Sequence, residues 1–342
     1  MVSGGAWLMH AGVEPERNPS TRPGATASQV ALAEVRRWGY QLANLDPRVA
    51  MGSSFDLLVV DPDALKGWRN RTQEVAVDMV RRRPDGGRRL VLAYLSIGEA
   101  ESYRGYWSKA WVAPDIRTAT ARDAHVPTAT RIAGRFAEPK ITAPRVPRRP
   151  SAAAPSWLAD ENLRWQGNFR VRYWDRDWQR LLFGNPQALL DEIVAAGFDG
   201  VYLDGADAHA AFRGERASAE SEMVDLIERL AIYARGQNPE FLIVMQNAEE
   251  LIAHGRLRDA IDGVAKEDLL FGIAGPSTAN DPADVTSSLH YLTKLQREGR
   301  PVLVVEYLDN PALAADARRR LDALGFVSYF APRELNRLVD AD

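Results

Sequence analysis

Eight short apolar runs, most of them separated by stretches of helical spacing, constrain what this chain can fold into more than any other feature. The runs are Trp38 to Asn44, Phe55 to Val60, Leu90 to Leu95, Gly200 to Leu203, Phe241 to Met245, Gly263 to Lys266, Pro301 to Val305 and Phe326 to Phe330. Helical patterns cover Ala27 to Arg37, Thr72 to Arg83, Pro186 to Ala196, Ala219 to Ala234, Val285 to Glu298 and Ala312 to Leu324. Strands buried on both faces read as continuous apolar runs, and eight of them with helical connections predict an α/β fold, a closed (β/α)8 TIM barrel. An open doubly wound sheet would alternate in the same way, but no Gly-x-Gly-x-x-Gly opens a helix after the first strand. At 342 residues the chain can bury one large core. The predicted organisation is an N-terminal extension over 1–26 and a single barrel domain over 27–342, interrupted after the third strand by an insertion at 113–155.

That insertion carries seven prolines and eight Lys or Arg against three acidic residues, which suits neither a helix nor a core strand. It reads as a surface insertion or as a lid that touches substrate. Met1 to Val13 lacks the cationic start and apolar length of a signal peptide, and no run approaches the roughly 18 apolar residues needed to cross a bilayer. A net charge of -3 without a basic stripe argues against nucleic acid as a partner, and a monomer is expected. The absence of cysteine excludes disulfides, thiolate nucleophiles and cysteine-ligated metals. The five histidines, His10, His125, His209, His254 and His290, show no His-x-His or Glu-x-x-His spacing, so neither a metal nor another cofactor is expected. His209 lies close to Asp207 and is placed either in a pocket or on the surface. Ser96-Ile97-Gly98 lacks the flanking glycines of a nucleophile elbow.

Barrel active sites are built from the loops that follow the strands, so polar residues at strand ends are the candidates. Asp61, Glu99, Asp204, Asn247, Glu267 and Glu306 all stand at or just past such ends. Asp204 follows the apolar run of Gly200 to Leu203 directly, with Asp207 in the same loop, and reads as a carboxylate delivered to the barrel mouth or as a loop cap. Glu267 and Glu306 compete to be a second carboxylate, with Lys266 a rim ion-pair partner for Glu267. Two carboxylates across a sugar ring are the machinery of glycoside hydrolysis, one protonating the leaving oxygen while the other attacks or stabilises the anomeric carbon. Ser96 and Gly98 are expected to shape the loop that aims Glu99, or to bind substrate hydroxyls. Tyr103, Tyr106, Trp107 and Trp111 cluster after the third strand and Phe169, Tyr173, Trp174 and Trp178 after the insertion; Tyr173 and Trp174, beside Asp175 and Asp177, form either a sugar-stacking wall or a lock that holds the insertion on the barrel.

Several ordered motifs carry a family resemblance. They are Tyr94-Leu95-Ser96-Ile97-Gly98-Glu99-Ala100-Glu101 with Tyr103 and Trp107, the segment Trp165 to Trp178, and Gly197-Phe198-Asp199-Gly200-Val201-Tyr202-Leu203-Asp204. Trp38 to Leu42 and Phe55 to Asp61 add the first two strands. Together these resemble the glycoside hydrolase-like TIM barrels related to endo-α-1,4-polygalactosaminidases, which include the Thermotoga-type barrel proteins and the hydrolase domain of the Pel polysaccharide system. The resemblance spans about residues 35 to 335 apart from the insertion. It implies a hydrolase of α-linked, galactosamine-containing polysaccharide in an extracellular or cell-envelope setting, with a cytoplasmic one the alternative because Met1 to Val13 does not read as a signal peptide. It places the fourth-strand acid at Asp204 and the second carboxylate at Glu267. It matches Asp61, Tyr94, Glu99 and Asn247 to pocket positions. Tyr202, Asp207, Glu306, Tyr173 and Trp174 complete the candidate substrate contacts. The expected partner is a poly- or oligosaccharide, with a cationic galactosamine polymer as the candidate. A noncatalytic carbohydrate-binding barrel and a carboxylate-based isomerase or lyase are the alternatives.

Overall fold

A computed structural model describes residues 24–112 and 146–340. Eight parallel strands pair in chain order: β1 Trp38–Gln41, β2 Leu57–Val60, β3 Leu90–Ser96, β4 Gly200–Asp204, β5 Leu242–Gln246, β6 Gly263–Glu267, β7 Val302–Glu306 and β8 Val327–Phe330. All eight coincide with the apolar runs. The barrel is nearly closed, and its seam is drawn together by side chain and loop. The Trp38 indole N–H donates to the Val327 carbonyl at 3.0 Å, and the Leu42 and Ala43 amides both reach the Leu335 carbonyl.

Residues opposite one another in a ladder share a face, so the register assigns every strand position to the inside or the outside. Tyr40, Val59 and Leu92 are successive partners, Leu92 pairs with Gly200, and Tyr94 pairs with Tyr202. Tyr202 pairs with Val244, Gln246 with Ala265, Glu267 with Val305, and Val305 with Tyr329. Tyr94, Tyr202, Asp204 and Glu267 therefore face the barrel interior. The floor beneath them is aromatic. Ring centroids lie 6.1 Å apart for Trp38–Tyr40, 5.0 Å for Tyr40–Tyr202 and 5.7 Å for Trp38–Tyr329. Filled by these rings, the interior is packed core and not a channel.

Nine α-helices are present among the described residues, and several begin where sequence chemistry dictates. Thr26 and Gln29 form a reciprocal capping box at Ala27–Ala33, while Asp46, Asp281 and Asn310 each cap a helix whose first residue is proline. Between β3 and β4 stands a three-stranded antiparallel sheet that the apolar pattern does not foretell, with Asn168–Val171 between Glu99–Glu101 and Leu158–Glu161. Its strands are too short and too polar to stand out. An aromatic column fastens this sheet to the barrel: Trp107 packs on Phe169 at 4.8 Å, Trp111 on Trp157 at 5.3 Å, and Trp157 on Trp178 at 5.0 Å. The Trp178 indole N–H then donates to the Ile97 carbonyl at 2.9 Å.

Of the expected insertion at 113–155, residues 113–145 lie outside the described residues, as do residues 1–23 of the N-terminal extension. The loops after β3 and β4 touch at Gly98 and Gly205. A Cβ on Gly98 would sit 2.0 Å from the Gly205 carbonyl oxygen, and Gly205 itself holds φ at 78°. This close approach sets the position of Asp204 against the β3 loop.

Candidate active site

Asp204 ends β4 and Glu267 ends β6, so both carboxylates rise from the inner face at the same rim of the barrel. Each is anchored through both oxygens. The Tyr94 hydroxyl donates to Asp204 Oδ2 at 2.6 Å and the Gly205 amide to Oδ1 at 2.7 Å. The Tyr307 hydroxyl donates to Glu267 Oε1, and Asn247 Nδ2 donates to Oε2 at 3.3 Å while Asn247 Oδ1 accepts from the Glu267 amide at 3.1 Å. Burial first, and then the charge of Glu267, hold the Asp204 carboxyl well above the usual carboxylate range. Burial raises Glu267 as well, with Asp268 adding to it while Tyr307 and Asn247 pull the other way. Two such groups resist ionising together, so the pair keeps a proton to higher pH than an isolated carboxylate would.

The rim itself is strained. Asn247, Ala248 and Asp268 carry φ of 55°, 51° and 51°, a left-handed backbone that non-glycine residues seldom adopt. At Asn247 this turn breaks the in-out alternation after Gln246 and swings the amide back over Glu267.

A cleft of about 900 Å³ opens over this rim, a size suited to several sugar units. Its lining includes Glu267, Asn247, Asp207 and Tyr307, together with Trp165 and Arg333. Asp204, half-buried, is not part of that lining and stands two strands earlier at the same rim. Acidic side chains dominate: Asp207, Glu249, Glu250, Glu267, Asp268, Asp309 and Glu334 against Arg164, Lys266 and Arg333. Two of these cations already face carboxylates. Lys266 lies 3.2 Å from Glu249, not paired with Glu267 as the sequence suggested, and Arg333 lies 2.9 Å from Asp268.

The other sequence-selected residues divide. Asp207 is exposed on the cleft wall. Glu99 is half-buried, with Asn162 Nδ2 at 2.6 Å and Asn168 Nδ2 at 3.2 Å, and burial pushes its carboxyl up to about 7. Ser96 Oγ donates to the Glu99 carbonyl at 3.0 Å and so shapes that loop. Tyr94 acts on Asp204 and is itself buried. Asp61 is buried in an ion cluster, 2.9 Å from Arg104, which also grips Asp63 and Glu101, so this carboxylate anchors a loop and does not face substrate.

Further expectations need correction. Glu306 faces outward: it pairs with Phe330, its side chain is fully buried, and it accepts from the Leu270 amide at 2.7 Å and the Phe271 amide at 3.3 Å. It holds that loop. Tyr173 is fully buried with its hydroxyl on the Ala219 carbonyl at 2.6 Å. The Trp174 ring packs against Phe212 at 5.1 Å with Arg216 over it at 4.9 Å, so both rings lock structure and neither forms a sugar wall. Tyr202 is sealed beneath the carboxylates. His209 is likewise fully buried, 3.0 Å from Glu250, and is neither a surface nor a pocket residue. Among the described residues no cluster of three or more His, Asp or Glu could hold a metal ion.

Tyr307 and Arg333 carry more of the site than their sequence context suggests. The Arg333 guanidinium lies 5.3 Å from the centroids of both Trp165 and Tyr307, which steadies the ring whose hydroxyl holds Glu267. Neither had a local signal: Tyr307 stands just past an unbroken apolar run, and Arg333 lies in the loop after β8.

The sequence profile of Glycoside-hydrolase family GH114 matches residues 144–341. An uncharacterized protein of Deinococcus radiodurans is 32% identical over 331 residues, covering 95% of this chain and 87% of its own length. An uncharacterized protein of Thermotoga maritima is 29% identical over 281 residues, covering 80% and 71%. Among solved structures, the glycoside hydrolase domain of PelA from Pseudomonas aeruginosa aligns with a TM-score of 0.57 at 18% identity, over 90% of this chain and 98% of that domain, a likeness of fold.

Proposed function

Because this chain belongs to glycoside hydrolase family GH114, we propose that it hydrolyses an α-linked, galactosamine-containing polysaccharide with Asp204 and Glu267 as the reacting carboxylates. The observation that carries this reading is the placement of two carboxylates, each anchored by a tyrosine hydroxyl, at one rim of the barrel beside an acidic cleft. Glu267, on the cleft wall, is the general acid/base. Its proton passes to the glycosidic oxygen as the bond to the anomeric carbon breaks, and Asp204 meets the positive charge or forms the new bond there. Water then supplies the hydroxyl of the product and returns a proton to Glu267.

The acidic surplus of the cleft favours a cationic polymer over a neutral one. An ammonium about 4 Å from a carboxylate gains about 4 kcal/mol of Coulomb energy at an effective dielectric near 20, before desolvation costs, and far less in salt. A polymer of this kind does not cross membranes, so the enzyme would meet it outside the cytoplasm. No helix among the described residues is long and apolar enough to span a bilayer.

The test is a comparison of α-1,4-linked galactosamine oligomers with their fully N-acetylated counterparts, with product masses measured at low and high salt. The free-amine oligomers should be cleaved faster, and salt should shrink the difference. Absence of cleavage of any galactosamine-containing oligomer would overturn the assignment.

A further inference from the structure

The Tyr202 hydroxyl stands out in the barrel floor. It is completely buried and has no hydrogen-bond partner among the described residues. Its neighbours do not share this state: Tyr40 reaches Gln246 Oε1 at 3.4 Å, Tyr94 reaches Asp204, and Tyr307 reaches Glu267. A buried hydroxyl left unpaired destabilises a fold, and a phenylalanine would fill the same ring position without that cost. Packing therefore accounts for the ring of Tyr202 and not for its oxygen.

The register says where that oxygen belongs. Tyr202 precedes Asp204 by two residues on β4, so both side chains share the inner face, and its ring lies 5.0 Å from Tyr40 in the floor below the rim. Burial, then the carboxylates of Glu267 and Asp204, push its phenol well above the ordinary range, which keeps it a neutral O–H donor. No carboxylate oxygen lies within direct hydrogen-bond reach of it. Buried polar groups too far apart to bond directly are commonly joined by one water.

We propose that Tyr202 is a positioning residue for the Asp204–Glu267 pair, its hydroxyl donating to a single buried water that is shared with a carboxylate oxygen of the pair. The bridge acts from below, where the sealed ring cannot touch a sugar. It complements the bonds that Tyr94 and Tyr307 make from the sides. The inference rests on the reading of Asp204 and Glu267 as the reacting carboxylates.

Tyr202→Phe removes the oxygen alone. In high-resolution crystal structures of the parent and the variant, an ordered water should lie within hydrogen-bond distance of both Tyr202 Oη and an oxygen of Asp204 or Glu267, and it should be lost or displaced in the variant. In turnover, kcat should fall about 10- to 100-fold, the size expected for one hydrogen bond to a charged group, while KM stays within about twofold. A parent structure with no such water, or a variant with full kcat and a raised melting temperature, would overturn the proposal and leave Tyr202 a packing residue. If the parent cleaves no glycan, the functional reading falls, and the water at Tyr202 still decides this inference.

Discussion

Replacing Tyr307 by Phe probes how the site sets the acidity of Glu267. The Tyr307 hydroxyl donates to Glu267 Oε1, and the ring keeps its place against Arg333 at 5.3 Å, so the substitution removes one hydrogen bond and spares the packing. A donor to a carboxylate stabilises the ionised form and lowers the pKa; in the intact site it works against burial, which raises it. Removing the donor therefore moves the pKa of Glu267 further up. A hydrogen bond to a charged group contributes about 1.5–3 kcal/mol, and one pKa unit corresponds to about 1.4 kcal/mol, so the shift is about 1–2 units. A general acid must be protonated to work, and its ionisation sets the basic limb of kcat/KM. That limb should move to higher pH by about 1–2 units in Tyr307→Phe, read as a property of the coupled pair. Initial rates on a galactosamine oligomer across the pH range measure it. A basic limb that stays in place, or moves down, would refute the reasoning.

Two further outcomes follow from the corrected residues. Tyr173→Phe should lose about 1 kcal/mol of stability in chemical denaturation, through the lost bond to the Ala219 carbonyl, with hydrolysis unchanged; impaired hydrolysis at full stability would return Tyr173 to the sugar path. Glu306 has its folded pKa raised by burial to about 8, above its unfolded value, so its contribution to stability is fully present below the unfolded pKa and is lost as pH rises through about 8. Between pH 6 and 9 the parent should therefore lose melting temperature more steeply than Glu306→Gln, and equal slopes for the two would contradict that burial.

The eight strands were legible because each is buried on both faces and so reads as an unbroken apolar run. The same property hides which way the terminal side chain points. In Val302 to Val305 every position is apolar, so nothing local says whether Glu306 or Tyr307 faces the interior; only pairing with Glu267 and Tyr329 on the neighbouring strands settles it. Asp204 escaped this ambiguity through the motif that ends in it. Asp61 looked like a pocket acid because its partner, Arg104, sits 43 positions away and meets it only in the fold. Tyr173 and Trp174 had two readings, wall or lock, and the bond from Tyr173 to the Ala219 carbonyl and the packing of Trp174 on Phe212 decide for the lock. The left-handed turns at Asn247 and Asp268 left no trace, since neither residue is glycine.

The most direct measurement of the central claim is turnover and binding by Asp204→Asn and Glu267→Gln, each a near-isosteric loss of one carboxylate. Each should lower kcat on a galactosamine oligomer by at least about 100-fold, within the range lost when a general acid/base or its partner is removed, while oligomer affinity measured by calorimetry stays within a few-fold. Turnover near the parental rate in either folded variant would contradict the assignment of Asp204 and Glu267 as the reacting pair.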